Sequence, residues 1–315
     1  MLAIVAPGQG SQVPGFLSTW MAVAPFADRM RWYSAVCGLD LAQFGTTADA
    51  ATIRDTAIAQ PLLVAAGLAA WRTLCHAAAG PLRAELIAGH SAGELTAAAV
   101  AEVISPEQAM ILARERARGM AETAARIDSG MAAVVGGDPD EVAAAINRCG
   151  LSAVTYNGPG QIVASGARPG IERLLATPPP HTRVVRLEIS GGFHSAHVAH
   201  VGDRLRALAH GMETRDPGTV LLSNRDGRIV STGPEALQLI ADQVSAPVRW
   251  DLCMRRMDEL GVTGMLELTP AGTLTKIARR ALPRVDTFAL RSVDRLDDAC
   301  AFALHHTRTA SGLVP

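Results

Sequence analysis

The chain has 315 residues, of which 49% are hydrophobic, and a formal net charge of −1 at pH 7. This composition is sufficient for a large hydrophobic core, so we expect one large domain, or one domain with a smaller insert. The near-zero charge gives no indication of nucleic acid or an anionic membrane as a partner, and no apolar run reaches the length of a membrane span.

The first part of the chain, residues 1–125, alternates predicted strands with predicted helices. A short apolar strand at residues 4–6 leads into a Gly-rich turn at residues 7–12, and helices are expected around 15–30 and 60–78. Residues 85–88 are typical of a buried strand, and residues 93–100 of an Ala-rich helix. A long helix is predicted over about 106–125, with Pro106 in its first turn.

Residues 126–190 have the pattern of a small unit of their own. Residues 130–136 are strand-like, residues 138–147 helix-like with Asp138 as the N-cap, and residues 154–165 form a strand or hairpin interrupted by a turn at 157–160. A short helix at 171–176 and a strand at 183–189 follow. This order predicts a ferredoxin-like α+β subdomain.

Residues 191–315 return to an α/β pattern, with strands expected at 220–224 and 264–268 and a helix around 234–245. We therefore predict an α/β fold in which residues 1–125 and 191–315 form the core and residues 126–190 form an inserted subdomain. Such an insert leaves a cleft between the two parts, where ligands commonly bind.

The strongest chemical signal is the pentapeptide Gly89-His90-Ser91-Ala92-Gly93. It has the G-x-S-x-G form of the turn that exposes a nucleophilic serine between a strand and a helix. A strand is predicted before it and a helix after it, as this turn requires. The alternative is a chance match in a Gly-rich chain. The sequence predicts that Ser91 is a nucleophile.

A serine nucleophile needs a base, and histidine is the natural one near neutral pH. His194 stands in a Gly-rich turn, Gly191-Gly192-Phe193-His194-Ser195, where the chain re-enters the core. It follows Ser91 in the chain, in the Ser-then-His order of α/β-hydrolase-type enzymes. His197 and His200 are the alternatives, one helical turn apart, and His194 is the preferred base.

Two further residues are candidates for substrate contacts. Arg116 lies on the long predicted helix, 25 residues after Ser91; it belongs either to a solvated charged face or to a buried site that grips a carboxylate in a bidentate manner. Gln9 lies between Gly8 and Gly10, and its N–H is a candidate to complete an oxyanion hole with that of Ala92. No nucleotide-binding glycine motif follows Gln9.

The five cysteines are scattered along the chain, and none forms a C-x-x-C pair. This distribution of cysteines predicts a cytoplasmic protein with reduced thiols and no metal site.

In these motifs the chain resembles the malonyl-CoA:acyl carrier protein transacylase family, a group of discrete bacterial acyltransferases. The similarity runs nearly end to end and consists of six motifs in the family's order. They are Pro7-Gly8-Gln9-Gly10-Ser11-Gln12, Gly89-His90-Ser91-Ala92-Gly93-Glu94, Arg116, Asn157-Gly158-Pro159-Gly160-Gln161-Ile162-Val163, Gly192-Phe193-His194-Ser195, and Gln243 ahead of Pro247-Val248-Arg249-Trp250.

The resemblance implies an α/β-hydrolase-like core with a ferredoxin-like insert, and it implies a role for each residue. Ser91 would be acylated by malonyl-CoA, His194 would act as its base, and the backbone carbonyl of Gln243 would orient that histidine. The N–H groups of Gln9 and Ala92 would hold the oxyanion, and Arg116 the malonyl carboxylate. No cofactor is implied, since coenzyme A arrives as the substrate thioester and the acceptor thiol is the phosphopantetheine of the acyl carrier protein.

The resemblance also bears on specificity, because a Phe before the catalytic histidine accompanies malonyl and a Ser accompanies methylmalonyl in related polyketide acyltransferases. Phe193 therefore favours malonyl. Two positions depart from the family pattern: Ala92 is smaller than the usual branched residue, and Thr269-Pro270-Ala271-Gly272 replaces G-P-G. Basic residues expected to face the acidic carrier protein are Lys276, Arg279, Arg280, Arg114 and Arg118.

The expected function is malonyl transfer for fatty-acid synthesis. Two alternatives stay open. One is an acyltransferase that serves a polyketide synthase in trans, with malonyl or another acyl unit. The other is a serine hydrolase or thioesterase, although a general esterase has no use for a buried cation at Arg116. A non-catalytic carrier-protein-binding module is disfavoured by the intact set of Ser91, His194 and Arg116.

Overall fold

The computed structural model describes residues 1–78, 82–189 and 191–307. The predicted domain boundary at residue 190 and the C-terminal end of the predicted core lie outside these residues. The described part of the chain contains ten strands. They are β1 (Leu2–Ala6), β2 (Leu86–Gly89), β3 (Ser129–Gly136), β4 (Ser152–Tyr156), β5 (Gln161–Ala167), β6 (Thr182–Arg186), β7 (Val220–Leu222), β8 (Val248–Arg249), β9 (Gly264–Glu267) and β10 (Asp286–Ala289).

The helices of the described residues surround these strands. They are α1 (Ala24–Cys37), α2 (Leu41–Thr46), α3 (Ala50–Arg54), α4 (Thr56–Ala77), α5 (Gly93–Val100), α6 (Pro106–Arg126), α7 (Pro139–Arg148), α8 (Arg168–Ala176), α9 (Ala199–His210), α10 (Gly233–Gln243), α11 (Trp250–Glu259), α12 (Thr273–Ala281) and α13 (Leu296–His306). Short 3₁₀ turns occur at Trp20–Ala22, Ala196–Val198 and Val293–Arg295.

The larger structural unit is built on a five-stranded parallel sheet with the order β10-β9-β1-β2-β7. β1 lies at its centre, and all five of its residues are buried. Strands covered on both faces are apolar throughout, which explains why β1 and β2 show continuous apolar runs rather than alternation. The parallel sheet and its helices confirm the predicted α/β class.

A second five-stranded sheet has the order β6-β3-β5-β4-β8. The β3, β4, β5 and β6 strands pair antiparallel, and α7 and α8 pack against them. The fifth strand, β8, comes from much later in the chain and pairs in parallel with β4. β8 therefore joins the segment of residues 126–190 to the later α/β segment through backbone hydrogen bonds.

Several local predictions are confirmed, and one helix was placed wrongly. Asp138 caps α7 by accepting hydrogen bonds from two backbone N–H groups, and α6 begins at Pro106 behind a capping box formed by Ser105 and Gln108. The helix expected around 15–30 instead begins at Ala24. Residues 15–23 form turns, because Pro25 favours the first turn of a helix and Gly15 has a positive φ of 73°.

The expectation that no apolar segment is long enough to span a membrane was also too strict. α4 has 22 residues and a mean hydropathy of 1.3 in its most apolar window, which meets the criteria of length and composition. However, 78% of that window is buried inside the protein. A helix covered by neighbours on all sides is apolar all round. α4 is such a helix, packed against α1, α5, α6 and α13.

Candidate active site

Three loops that follow adjacent strands of the parallel sheet meet at one edge. Gln9 follows β1, Ser91 follows β2 and Asn224 follows β7. Carboxyl ends of neighbouring parallel strands share an edge of the sheet, which is where ligands bind in open α/β folds. The topology therefore brings together residues that are more than 200 positions apart in the chain.

The turn at Ser91 depends on its glycines for steric reasons. Ser91 has a φ of +53°, the strained conformation expected of a nucleophile turn. A Cβ on Gly89 would lie 2.0 Å from the carbonyl of Gly93, and a Cβ on Gly93 would lie 2.3 Å from the carbonyl oxygen of Ala6. Gly89 is required because the end of β2 packs on the first residues of α5, and Gly93 is required because the elbow packs directly against the end of β1.

The structure brings Ser91, His194 and Gln243 into one hydrogen-bonded row. Ser91 Oγ lies 2.8 Å from His194 Nε2, and His194 Nδ1 lies 2.9 Å from the backbone carbonyl oxygen of Gln243. A carbonyl only accepts, so Nδ1 carries the imidazole proton and donates it to Gln243. Nε2 is then free to accept the Ser91 hydroxyl proton, which is the arrangement of a nucleophile and its base.

His194 is held as a neutral imidazole. Burial, together with the nearby Arg116 charge, lowers the pKa of His194 to about 3. The side chain is only 6% exposed, and the backbone has a φ of +56°. The two alternative histidines lie elsewhere: His197 is exposed, and His200 contacts the Thr123 hydroxyl at 3.2 Å. Only His194 of these three contacts Ser91 in the described structure.

The two backbone groups nominated for an oxyanion hole are both available. Within the described residues, neither the Gln9 N–H nor the Ala92 N–H makes a hydrogen bond. The Gln9 side chain is anchored by donating to Thr56 Oγ1 at 3.0 Å and to the Arg54 carbonyl at 3.2 Å. A Cβ on Gly8 would lie 2.7 Å from the His90 carbonyl oxygen, so this loop packs directly on the elbow.

Arg116 is buried in the site rather than on a solvated face, with only 1% of its surface exposed. Its Nη1 donates to Gln60 Oε1 at 2.5 Å, and its Nη2 donates to Ser91 Oγ and to Gln243 Oε1, both at 3.2 Å. Burial lowers the pKa of Arg116 to about 10, so the group remains charged near neutral pH. All three acceptors are neutral, which leaves the cation able to bind an anion.

Sequence reasoning missed the buried polar groups that support these residues. Asn224, fully buried, accepts the Ser91 N–H at 2.8 Å and donates to the Gly89 carbonyl at 2.6 Å, so one amide fixes both sides of the elbow. Glu94 and Gln60 are also buried beside the site. The available signals were a polar residue just after the buried strand β7, for Asn224, and a polar residue inside the apolar helix α4, for Gln60.

A cavity of about 230 Å³ opens next to Ser91. Phe193, buried to 4% exposure, lies in its wall, as do Met120 from α6 and Met131 from β3. The cavity is lined by residues from the part of the chain that forms the parallel sheet, by residues of the antiparallel strands, and by α12. The volume is below the range usual for drug-sized ligands, and it suits a short acyl group better than a whole coenzyme.

The proposed carrier-facing residues differ in their surroundings. Arg118 is paired with Glu122 at 2.9 Å, and Arg114 donates to the Cys37 carbonyl. Lys276, Arg279 and Arg280 are exposed on α12, the helix whose first turn lines the cavity, and Arg279 donates to Thr287 Oγ1 at 3.1 Å.

Comparison with known proteins shows to which family the chain belongs. Residues 4–296 match the acyl transferase domain family. A protein of Mycobacterium tuberculosis H37Rv named malonyl CoA-acyl carrier protein transacylase is 42% identical over 95% of this chain and 99% of its own length. The chain belongs to the malonyl-CoA:acyl carrier protein transacylase family. A transacylase of Escherichia coli K12 is 28% identical over 91% of this chain and 95% of its own length.

Solved structures of the family share this mixed α/β fold. The crystal structure of the Mycobacterium tuberculosis transacylase superposes with a TM-score of 0.89 at 41% identity, covering 95% of this chain and 99% of that one. A malonyl-transacylase solved in complex with a type II polyketide acyl carrier protein gives a TM-score of 0.88 at 28% identity over 95% and 99% of the two chains. The resemblance stated from the motifs is confirmed, and the chain is an acyltransferase of this family.

Proposed function

We propose that this enzyme transfers a malonyl group from malonyl-CoA to the phosphopantetheine thiol of an acyl carrier protein, through a malonyl ester on Ser91. The observation that carries the proposal is the 3.2 Å contact between Arg116 Nη2 and Ser91 Oγ. A buried cation this close to the nucleophile fits an acyl group whose carboxylate is separated from the reacting carbonyl by one carbon. The malonyl group has this spacing.

The first half-reaction follows from the hydrogen-bonded row. Ser91 Oγ attacks the thioester carbonyl while its proton moves to His194 Nε2, and the Gln243 carbonyl stabilises the imidazolium through Nδ1. The N–H groups of Gln9 and Ala92 are proposed to hold the oxyanion. When the C–S bond breaks, His194 returns the proton to the coenzyme A thiolate, and a malonyl ester remains on Ser91.

The second half-reaction reverses these roles. His194 takes the proton of the phosphopantetheine thiol, the sulfur attacks the ester carbonyl, and the C–O bond to Ser91 breaks as the proton returns to Ser91 Oγ. This sequence has ping-pong kinetics. No bound cofactor is needed, because both thiols belong to the substrates. Between the two steps Arg116 is proposed to keep the carboxylate in place.

The finer description of the fold belongs to the same proposal. Residues 1–125 and 191–315 are assigned to an α/β-hydrolase-like core, supported by the parallel sheet and the elbow after β2. Residues 126–190 are assigned to a ferredoxin-like subdomain, supported by the antiparallel arrangement of β3 to β6 with two helices. The carrier protein is proposed to dock on α12, whose exposed cations adjoin the cavity, and the location is proposed to be the cytoplasm.

Fatty-acid synthesis is the pathway we favour. A specific alternative is supply of malonyl units to a polyketide synthase, since one structural relative is a transacylase in complex with a polyketide carrier protein. A serine hydrolase is the remaining candidate, and the buried Arg116 disfavours it because an esterase for neutral substrates would gain nothing from that charge.

The proposal is tested by mixing the enzyme, malonyl-CoA and holo acyl carrier protein, and measuring malonyl transfer to the carrier by mass spectrometry. Malonyl-carrier protein should accumulate with the wild-type enzyme and not with Ser91→Ala. Release of free malonate without formation of malonyl-carrier protein would instead identify a hydrolase.

A further inference from the structure

Beneath the nucleophile elbow lies a buried carboxylate that the mechanism above does not use. Glu94 is 5% exposed on the first turn of α5. Its Oε1 accepts the backbone N–H of Asn224 at 2.7 Å, and its Oε2 accepts a short hydrogen bond from Gln243 Nε2. Glu94 contacts neither Ser91 nor His194 through its carboxylate, so any role in the reaction is indirect.

Gln243 connects Glu94 to the substrate site. The Nε2 side of its amide faces three acceptors: Glu94 Oε2, Asn224 Oδ1 at 3.1 Å and the Ser91 carbonyl at 3.4 Å. The Oε1 side faces a single donor, Arg116 Nη2 at 3.2 Å. An amide has one donor end and one acceptor end, so its orientation is set by the network around it.

Of the side chains around that amide, only Glu94 is restricted to accepting hydrogen bonds when ionised. Asn224 Oδ1 and the Ser91 carbonyl accept from Nε2 at 3.1 and 3.4 Å, whereas Glu94 Oε2 accepts the shortest of the three hydrogen bonds and is the acceptor that carries a charge. The carboxylate therefore directs Nε2 of Gln243 toward Glu94 and Oε1 of Gln243 toward the Arg116 guanidinium. Burial raises the pKa of Glu94 to about 8, and the Asn224 N–H and the Arg116 charge oppose that rise. The carboxylate therefore predominates above about pH 8, where the variants below are compared.

We propose that Glu94 is a positioning residue for substrate selection: through the side-chain amide of Gln243, it aims the guanidinium of Arg116 at the acyl carboxylate. This inference rests on the proposed malonyl transfer. It gives Gln243 a second role, since its backbone carbonyl orients His194 while its side chain orients Arg116. The two roles are separable because the carbonyl is part of the main chain.

The substitution Glu94→Gln tests this chain of contacts. The Asn224 N–H cannot change direction, so the oxygen of the new amide is taken by Asn224 and its NH₂ faces Gln243. Gln243 must then turn its own oxygen toward the new amide at position 94 and its NH₂ toward the Arg116 guanidinium. A donor facing a donor displaces Arg116, while Ser91, His194 and the Gln243 carbonyl keep their positions.

Two acyl donors separate the positioning of Arg116 from general damage to the elbow. One is malonyl-CoA, assayed as malonyl transfer to holo carrier protein; the other is p-nitrophenyl acetate, an uncharged ester that acylates Ser91 without using Arg116. Glu94→Gln should lower kcat/KM for malonyl-CoA about tenfold or more, mainly through KM, since a hydrogen bond to a charged group is misplaced. The burst with p-nitrophenyl acetate should change by less than about twofold if the elbow is intact.

Glu267→Gln is the matched control, because Glu267 is also a buried carboxylate. It accepts backbone N–H groups at the start of α12 and contacts neither Arg116 nor Gln243. With acylation by malonyl-CoA measured in the absence of carrier protein, this control should leave the ratio of malonyl to ester reactivity unchanged even where it lowers thermal stability. An equal loss with both acyl donors in Glu94→Gln would overturn the positioning role while leaving malonyl transfer by the wild type intact. Failure of the wild type to transfer malonyl would overturn both proposals.

A double variant covers the case in which Glu94→Gln does not fold. Glu94→Gln combined with Gln243→Glu restores one acid and one amide in the buried pair, so folding should be recovered. The carboxylate now faces Arg116 and competes with the substrate. Malonyl transfer should therefore stay at least about tenfold below wild type. Recovery of malonyl transfer to the wild-type level would contradict the proposal.

Discussion

Arg116→Gln is expected to lower the activity of the enzyme without lowering its stability, which is unusual for a fully buried residue. Arg116 makes three hydrogen bonds to neutral acceptors, and Glu94, the described carboxylate whose charge favours it, makes no direct ion pair with it. A site selected for stability alone would not bury a guanidinium this way, because a buried charge without an ionic partner is costly. The substitution removes the charge and keeps one amide donor.

The stability effect follows from the pKa of Arg116, which burial lowers from 12.5 to about 10. At about 1.4 kcal/mol for each tenfold change in proton affinity, the buried charge costs about 3 kcal/mol. The folded-state pKa lies below the unfolded value, so this cost is fully present at any pH below about 10. Two of the three hydrogen bonds are lost, at about 1 kcal/mol each. The net expectation is a gain of about 1 kcal/mol, or about 2 °C in Tm for a chain of this size.

The effect on activity has the opposite sign. A charge-assisted hydrogen bond to the malonyl carboxylate is worth roughly 1.5–3 kcal/mol, so kcat/KM for malonyl-CoA should fall about tenfold to a hundredfold. Reactivity toward p-nitrophenyl acetate should be largely retained, because Ser91 and His194 keep their contact. The assays are thermal unfolding and steady-state malonyl transfer with the two acyl donors.

Arg118→Gln is the matched control, since Arg118 lies on the same helix with its side chain 54% exposed and paired with Glu122. It should change neither Tm nor the malonyl-CoA kinetics by more than experimental error. A decrease in Tm of several degrees in Arg116→Gln would show that the cation stabilises the fold, and it would refute the expected gain in stability. Unchanged selectivity for malonyl over the neutral ester would refute the carboxylate-binding role.

Three further predictions follow from the geometry. Acylation of Ser91 by p-nitrophenyl acetate, which does not use Arg116, should be nearly constant between pH 5 and 8 in stopped-flow measurements, because the pKa of His194 is about 3. Stability should fall as pH drops below about 6.5, where the unfolded imidazole binds a proton that the folded one does not. Gly93→Ala should abolish soluble folded protein in a thermal-shift assay, because its Cβ would lie 2.3 Å from the Ala6 carbonyl oxygen. Phe193→Ser should shift kcat/KM toward methylmalonyl-CoA about tenfold relative to malonyl-CoA, since one methyl group is discriminated by roughly 1–3 kcal/mol.

Each of these predictions has a result that contradicts it. An acid limb near pH 6.5 in the acylation rate would show that His194 titrates normally. Gly211→Ala is the control for Gly93, since its Cβ would lie 3.7 Å from its nearest neighbour; equal stability losses in the two variants would mean that the elbow contact is not the cause. An unchanged ratio of kcat/KM for methylmalonyl-CoA and malonyl-CoA in Phe193→Ser would show that Phe193 does not discriminate between the two acyl groups.

Local features of the sequence were sufficient to nominate Ser91 and His194, which the structure brings into contact. Ser91 was found because a G-x-S-x-G turn between a strand and a helix is a local pattern with a steric cause. The same holds for His194, which stands in a Gly-rich turn with a positive φ. The roles of both residues remain proposals, whereas their 2.8 Å contact is a property of the structure.

The supporting residues were not predictable from local patterns. Gln60, Asn224 and the side chain of Gln243 reach the site from two helices and a strand end that are far apart in the chain, and isolated amides have no diagnostic spacing. The helix pattern around Arg116 favoured a solvated face over a buried site. Burial came from the packing of α6 against α4, α5 and α9, which the one-dimensional pattern does not contain.

Ser91 is proposed to accept a malonyl group because Arg116 binds its carboxylate, and this is measured by intact-mass spectrometry of the enzyme mixed with malonyl-CoA alone. A malonyl adduct is expected on the wild type, and it should be absent from Ser91→Ala and from a parallel sample with acetyl-CoA. An adduct of equal yield with acetyl-CoA, or malonyl-CoA consumption without any adduct on Ser91, would contradict it.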